Sequence, residues 1–255
     1  MIPIKNRQEI EIMKQGGQRL AWVMKKALNL VEPGQALCQI DQQIEQLILQ
    51  KEGRPSFKMV PGYRWASCLN VNQGVVHGVP NDYRLKEGDL LSLDIGFFYQ
   101  GFHTDTSRTL LVGNSKKLDS KPKDKFLQAG KKALHEAIKA TVPGKRVGHL
   151  SATIEREMKK AGFHPVEVLS GHGIGRQLHE EPPIPCFLKG KIEQTPWLKP
   201  GMTLAVEVIY TQGSPELVLK SDQWTLETAD GQWAGLFEET LLVTKGPALV
   251  LTKIK

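Results

Sequence analysis

The sequence predicts an α+β fold built from two similar halves, and three observations support that. Amphipathic helical patterns come in two consecutive pairs, not singly between strands. Each pair is followed by β-branched and aromatic runs separated by turn residues. The second helix of each pair is also introduced alike. VEPGQALCQIDQQIEQLI and TVPGKRVGHLSATIEREM both run from a Val through Pro-Gly into a helix. Halves near residues 1–115 and 116–255 are each too small to bury much core alone, so a single domain over 1–255 with internal pseudo-symmetry is expected. No linker or low-complexity segment divides them.

In chain order, Ile10, Met13, Leu20, Val23, Met24, Ala27 and Val31 make one helical face over residues 7–31, closed by Pro33-Gly34. Ile40, Ile44, Leu47 and Ile48 mark a second helix, stopped by Gly53 and Pro55. Residues 66–80 are strand-like around a turn at Asn72-Gln73-Gly74. Glu87-Gly88-Asp89 leads into LLSLDIGFFYQGFHTDTSRTLLV, two strand runs folded about Tyr99-Gln100-Gly101. Helices return over 124–141, ended by Pro143-Gly144, and over 147–161, ended by Gly162. Strands are expected at 166–169, 203–210, 223–228 and 235–243.

Composition narrows the class. Hydrophobic content of 40% with 24% charge describes an ordinary globular chain, and no run of about 18 apolar residues could span a membrane. The opening MIPIKNRQEIEIMKQ lacks the apolar core of a secretory signal. Three unclustered cysteines, Cys38, Cys68 and Cys186, point to reduced thiols in a cytoplasm, not to a disulfide frame or a thiolate zinc site. The net charge of +7 favours polyanionic surroundings. Its lysines are scattered, with short clusters at Lys116-Lys117, Lys121-Lys123-Lys125 and Lys131-Lys132. That reads as a solvated surface or transient contact with ribosomal RNA, with no sequence-specific nucleic-acid motif.

The chemistry begins where acids interrupt strands. Asp94 and Asp105 sit in opposite arms of the hairpin, a poor environment for an unpaired carboxylate. Folding about Gln100 sets them opposite or diagonal, with Cβ atoms roughly 5–8 Å apart. Such a pair binds a proton or something positive lies between them. Glu207 in TLAVEVIYT and Glu238 in GLFEETLLV repeat the pattern in the second half. Neighbouring Glu239 must face the other way from Glu238, and strand phase alone leaves open which of the two joins the acids. His172 lies among glycines in SGHGIG, a setting that lets a metal centre approach the backbone. His77 ends a strand in VVHGVP, and His179 precedes Glu180-Glu181-Pro182. His103, His135, His149 and His164 read as turn or helix-surface residues without a role. Four carboxylates neutralise two divalent cations, and an oxygen-rich set with one imidazole suits Mn²⁺, Fe²⁺, Co²⁺ or Mg²⁺. Two such ions activate water for hydrolysis of an amide or a phosphoester, and composition does not choose between those.

In these residues the sequence resembles the type I methionine aminopeptidases over almost its whole length. The motifs are Asn72-x-x-Val75-Val76-His77-Gly78-Val79-Pro80, Leu85-x-x-Gly88-Asp89 leading to Asp94, Gly101-Phe102-His103-x-Asp105-Thr106-Ser107, Gly171-His172-Gly173-Ile174-Gly175 with His179-Glu180-Glu181-Pro182, Leu198-Lys199-Pro200-Gly201-Met202, and Phe237-Glu238-x-Thr240. The resemblance implies the pita-bread fold, a curved antiparallel sheet flanked by helices in two pseudo-symmetric halves. It implies two divalent metals, with Asp94 on one, His172 and Glu207 on the other, and Asp105 and Glu238 bridging, which selects Glu238 over Glu239. A bridging hydroxide would attack the carbonyl after the initiator methionine of a nascent polypeptide, with Glu207 carrying a proton. His179 would bond the substrate carbonyl and His77 the scissile amide nitrogen. The substrate's amine would bind the metal held by Asp94. Tyr63, Cys68, Leu178 and Trp224 fall at methionine-pocket positions. The implied protein is a cytoplasmic, monomeric aminopeptidase preferring a small second residue.

The chain departs from the family pattern at Val60, Val76, Leu178 and Glu239. Glu239 replaces the usual His and adds negative charge near the site unless its strand face is solvated. Two other functions fit the fold: a non-catalytic pita-bread protein binding ribosome or RNA, and an Xaa-Pro-type metallopeptidase. The intact acid and histidine set argues against the first. The His77 motif, and the absence of a large preceding domain, argue against the second.

Overall fold

Asn6 starts the first helix with a capping box: its side chain accepts from the Gln8 and Glu9 N–H groups, and Glu9 reaches back to the Asn6 N–H. The computed structural model describes residues 1–113 and 120–254, so the Lys116-Lys117 cluster lies outside the described residues. Helix α1 (Arg7–Leu28) packs against α2 (Leu37–Gln50), and α3 (Lys121–Ala140) packs against α4 (Val147–Ala161). Glycine at positive φ (Gly34 and Gly144) precedes α2 and α4 alike.

The first-half strands are β1 (Arg54–Pro55), β2 (Ser67–Val71), β3 (Gly74–Val76), β4 (Leu90–Tyr99) and β5 (Phe102–Leu111). The second half supplies β6 (His164–Pro165), β7 (Ser170–Gly173), β8 (Glu180–Pro185), β9 (Thr203–Thr211), β10 (Leu217–Leu219), β11 (Leu226–Thr228), β12 (Ala234–Leu242) and β13 (Leu249–Val250). One antiparallel sheet runs β1-β4-β5-β12-β9-β7-β8, with β2 on β4, β6 on β9 and β13 on β12. A second, small sheet joins β10, β11 and β3. Helix α1 lies on β4 and β5, and α3 lies on β9 and β12.

Strand alternation decides what each face does. Leu91, Leu93, Ile95, Phe97 and Tyr99 point to the helices with Leu20, Val23 and Ile44, forming the first-half core. Val206, Val208, Tyr210 and Phe237 do the same beneath Phe126 and Leu150. Each such fully buried side chain stabilises by about 1.5–3 kcal/mol. The intervening residues, Asp94 and Glu207 among them, are turned to the opposite, concave face. An Asp in these strands costs no apolar packing because it sits on that face.

Three strand expectations change. Residues 166–169 form no regular strand: the Val166 N–H still bonds the Ile209 carbonyl of β9 at 2.9 Å, and the chain then loops out at the exposed Val168. His164 lies opposite Thr211 but His172 lies opposite Ala205, so eight positions on this side span six on β9 and the surplus bulges outward. Over 223–228 only Leu226–Thr228 pairs, and the preceding residues form a turn closed by Asp222 on the Trp224 and Thr225 N–H groups. His103, expected in a turn, is a buried residue of β5.

Candidate metal centre and active-site cavity

Register alone assembles the acids. Cys68 lies opposite Asp94, Asp94 opposite Ser107, Ser107 opposite Glu238, and Glu238 opposite Glu207. One row therefore crosses β2, β4, β5, β12 and β9. Asp105 sits two residues from Ser107, on the same face and diagonal to Asp94, one of the two arrangements the hairpin spacing allows. His172 enters from β7, opposite Ala205. Asp105, His172 and Glu238 each present a ligand atom within 4.8 Å of the others. The His172 Nε2 lies 3.6 Å from the Glu207 Oε1.

The cluster is short of positive charge. Burial, followed by the negative charge of Asp105, Glu207 and Asp94, raises the Glu238 carboxyl well above the usual range. Asp94 is raised by burial and then by Asp105 and Glu207, and Glu207 by burial and then by Asp105. Burial pushes Asp105 up to about 7 against the opposing bond from the Thr106 N–H. Asp94 Oδ1 and Glu238 Oε1 are buried without a hydrogen-bond partner. Buried acceptors of this kind are normally satisfied, so the set fits divalent cations. His172 is prepared for the same purpose: its Nδ1 lies 2.8 Å from the Gly173 carbonyl, which as acceptor holds the proton on Nδ1 and leaves Nε2 free toward the acids. Burial lowers its pKa to about 4, so it remains the neutral imidazole a metal requires.

The glycines around His172 serve packing more directly than metal access. A Cβ at Gly171 would stand 2.5 Å from the Ala205 carbonyl, and one at Gly173 would stand 2.2 Å from the Glu181 carbonyl. Strand β7 is thus squeezed between β9 and β8, and only a bare backbone fits.

The acids form one wall of a cavity of about 370 Å³. Tyr63, Cys68, Leu178 and Trp224 line its apolar part, and His77 and His179 line it too. Tyr63 and Trp224 meet edge to face at 5.1 Å, and the Tyr63 hydroxyl donates to the Ser67 carbonyl at 2.9 Å. Trp224 reaches the site from the β10–β11 turn, whose Leu226 pairs with Val76 beside His77. His77 adopts φ 56, a conformation unusual for a non-glycine and of the kind found where geometry serves a site. His179 stacks edge-on to His172 at 4.5 Å. Burial lowers the pKa of both His77 and His179, so each offers one N–H and one lone pair near neutral pH.

The sequence profile of metallopeptidase family M24 matches residues 11–245. The chain belongs to metallopeptidase family M24. It is 34% identical over 254 residues to methionine aminopeptidase 1 of Bacillus subtilis, covering 100% of both chains. It is likewise 34% identical to the methionine aminopeptidase of Aquifex aeolicus, over 99% of each. The crystal structure of a methionine aminopeptidase from Thermotoga maritima superposes with a TM-score of 0.94 at 36% identity, over 99% of this chain and 100% of that one. A prolidase from Pyrococcus furiosus shares the fold alone, at 23% identity and a TM-score of 0.77, over 99% of this chain and 66% of that one. The expected pita-bread fold with two pseudo-symmetric halves is thus the fold of this M24 chain.

Two features of this M24 site escape sequence reading. His103 is buried in the strand of Asp105, its ring Nδ1 2.9 Å from the Ser56 Oγ and its main-chain N–H bonded to the Gly175 carbonyl at 2.7 Å. It ties the strand of Asp105 to the loop that carries His179. Its even spacing from Asp105 was the available signal. Glu239 is not solvated on its outward face but buried against Arg108 and Thr252, which offsets its charge. Arg108 lies in the same strand as Asp105, yet nothing local in the sequence joins it to Glu239. Among the described residues, no helix is long and apolar enough to cross a membrane.

Proposed function

We propose that the chain is an aminopeptidase releasing the initiator methionine of nascent polypeptides, with a small second residue preferred. The observation that carries this reading is the apolar cavity at Tyr63, Leu178 and Trp224 opening directly onto the acid–imidazole cluster. An unbranched thioether side chain adapts to such a cavity and makes favourable contacts with ring edges. The names of the full-length relatives point the same way.

Asp94, Asp105, His172, Glu207 and Glu238 would hold two divalent cations of the Co²⁺, Mn²⁺ or Fe²⁺ kind, whose charge matches the four carboxylates. When bound, such ions lower the pKa of water and polarise a carbonyl. The protein groups do the rest. The cavity holds the methionine side chain, with Cys68 and Asp94 facing each other across β2 and β4 at the amine end. A free N-terminal amine, in its neutral form, would be held by the cation on Asp94, and that requirement selects exopeptidase action. His179, neutral, donates to the developing carbonyl oxyanion. His77 contacts the scissile nitrogen, and Glu207 moves the proton it needs. The working unit is one catalytic domain over the whole chain, acting as a cytoplasmic monomer. Its +7 charge favours transient contact with the ribosome.

Metal-loaded protein incubated with Met-Ala-Ser, Met-Lys-Ser and Ala-Pro peptides tests the activity. Methionine is expected from the first alone. Cleavage of Ala-Pro alone would favour an Xaa-Pro peptidase, and no release with any divalent metal would leave a binding protein. For the ribosome contact, co-sedimentation at low salt is expected and should vanish at high salt.

A further inference from the structure

The central seam of the sheet, where the two halves meet, is not a regular ladder. Strands β5 and β12 face each other at only two positions, Ser107 opposite Glu238 and Thr106 opposite Glu239. Beyond these, side chains replace main-chain bonds. The Thr240 hydroxyl accepts from the Asp105 N–H at 2.8 Å and donates to its carbonyl at 2.7 Å. The Thr109 hydroxyl does the same for Leu236, at 2.8 Å each way. Two of the acids, Asp105 and Glu238, stand on opposite banks of this seam.

On the other face of the sheet, one guanidinium spans the same seam. Arg108 Nη1 donates to the Glu238 carbonyl at 2.7 Å and to the Ser107 carbonyl at 2.8 Å, one from each half. It also lies 3.1 Å from the Thr106 hydroxyl, which itself donates to the Glu238 carbonyl at 2.8 Å. The other nitrogen of the fork, Nη2, is held by the Glu239 carboxylate, and Glu239 takes a second bond from the Thr252 hydroxyl. Thr252 in turn accepts from the Thr240 N–H at 3.0 Å, and the Leu251 N–H donates to the Thr240 carbonyl at 2.8 Å. The C-terminal segment is pressed onto the sheet by α1, where Gly17 leaves room for the Leu251 carbonyl. Glu239, only 7% exposed, is thus the anchor that holds the guanidinium over the seam.

We propose that Glu239, with Arg108 and Thr252, is a positioning residue: it fixes the spacing between Asp105 and Glu238 across the seam, and so sets the site's affinity for divalent metal. The proposal rests on the metal-binding part of the reading above, but not on the reaction or the substrate. A rigid fork between a carboxylate and two carbonyls is a task for Arg, which Lys cannot perform with a single point charge. Groups behind ligands typically change metal affinity by 10–100-fold when altered.

The test is calorimetric titration of the metal-free full chain with Mn²⁺, with thermal unfolding measured in parallel. Glu239→Gln keeps shape and one acceptor but removes the charge that holds the guanidinium, and is expected to raise the Mn²⁺ dissociation constant about tenfold. Arg108→Lys should do likewise. Thr252→Val, which removes one bond to Glu239, should shift it in the same direction by less. A lowered Tm with a dissociation constant within about twofold of the parent in all folded variants would make the cluster merely structural and overturn the proposal. Should Glu239→Gln and Arg108→Lys fail to fold, Thr252→Val decides alone. Because binding is read without peptide, inactivity toward Met-Ala-Ser would count against the proposed function and leave this result standing.

Discussion

The two halves share one frame and divide the chemistry. In the first, the Leu85 N–H bonds the Gln35 carbonyl at 3.0 Å and the Gly88 N–H bonds the Val112 carbonyl at 2.9 Å. In the second, Leu198 bonds Lys145 and Gly201 bonds Val243, both at 2.9 Å. Pro55 faces Phe97 as Pro165 faces Tyr210. The connections differ. Strands β4 and β5 are joined at Gln100-Gly101, both at positive φ, the backbone of a tight hairpin turn. Strands β9 and β12 are joined by residues 212–233, which carry β10, β11 and Trp224 back to β3. The equivalent position thus provides a rigid acid pair in one half and a pocket wall in the other. Repeating a frame supplies symmetric places for ligands, and breaking the symmetry in a loop supplies the cavity.

The largest effect is expected at the seam where the two halves meet. Asp105→Ala is expected to lower peptide hydrolysis below detection, roughly a thousandfold or more, because it removes the carboxylate proposed to bridge the two cations. The fold should survive, since the change removes a buried acid that burial already raises to about 7. Near-normal turnover would refute the bridging role proposed for Asp105.

The threonine pair offers a finer test. Thr240→Val and Thr109→Val each orphan one N–H and one carbonyl at pseudo-equivalent places, at about 1–3 kcal/mol per buried group. Similar losses in urea unfolding are expected, but only Thr240→Val should also weaken activity, because its partner is Asp105. Equal loss of activity in both would mean the seam acts as a unit with no side closer to the chemistry.

The smallest effect concerns helix entry. Glu9 caps α1 and also meets Arg176, whereas α2 and α3 begin without a side-chain cap bond. The bond from the Asn6 N–H, and next Arg176, hold the Glu9 carboxyl below its ordinary value. A depressed carboxyl adds stability above its unfolded pKa and loses it as pH falls through the folded one. Glu9→Gln should therefore cost about 0.5–1 kcal/mol at pH 7 and progressively less as acid protonates the carboxyl, compared by urea unfolding. A cost that persists in acid would show that the charge is irrelevant there.

Much of this was legible in the residues. Helical periodicity and Pro-Gly stops placed the four helices, and alternation with Gln100-Gly101 placed the hairpin and brought Asp94 and Asp105 onto one face, opposite or diagonal. These depend on neighbours within a few positions, where sequence speaks directly. Other features were decided at long range. Strand phase left Glu238 and Glu239 equivalent until pairing with Glu207 and the packing of Phe237 beneath α3 turned Glu238 inward. Residues 166–169 read as a strand by composition, but the spacing of two separate pairings to β9 left a bulge after Val166. His103 gained its buried place from Ser56 and Gly175, 47 and 72 positions away. The amino-acid order alone determined which groups exist and which local frame presents them. Tertiary structure decided which face each group shows and which partner neutralises it, because both follow from strand pairings that no short stretch of chain contains.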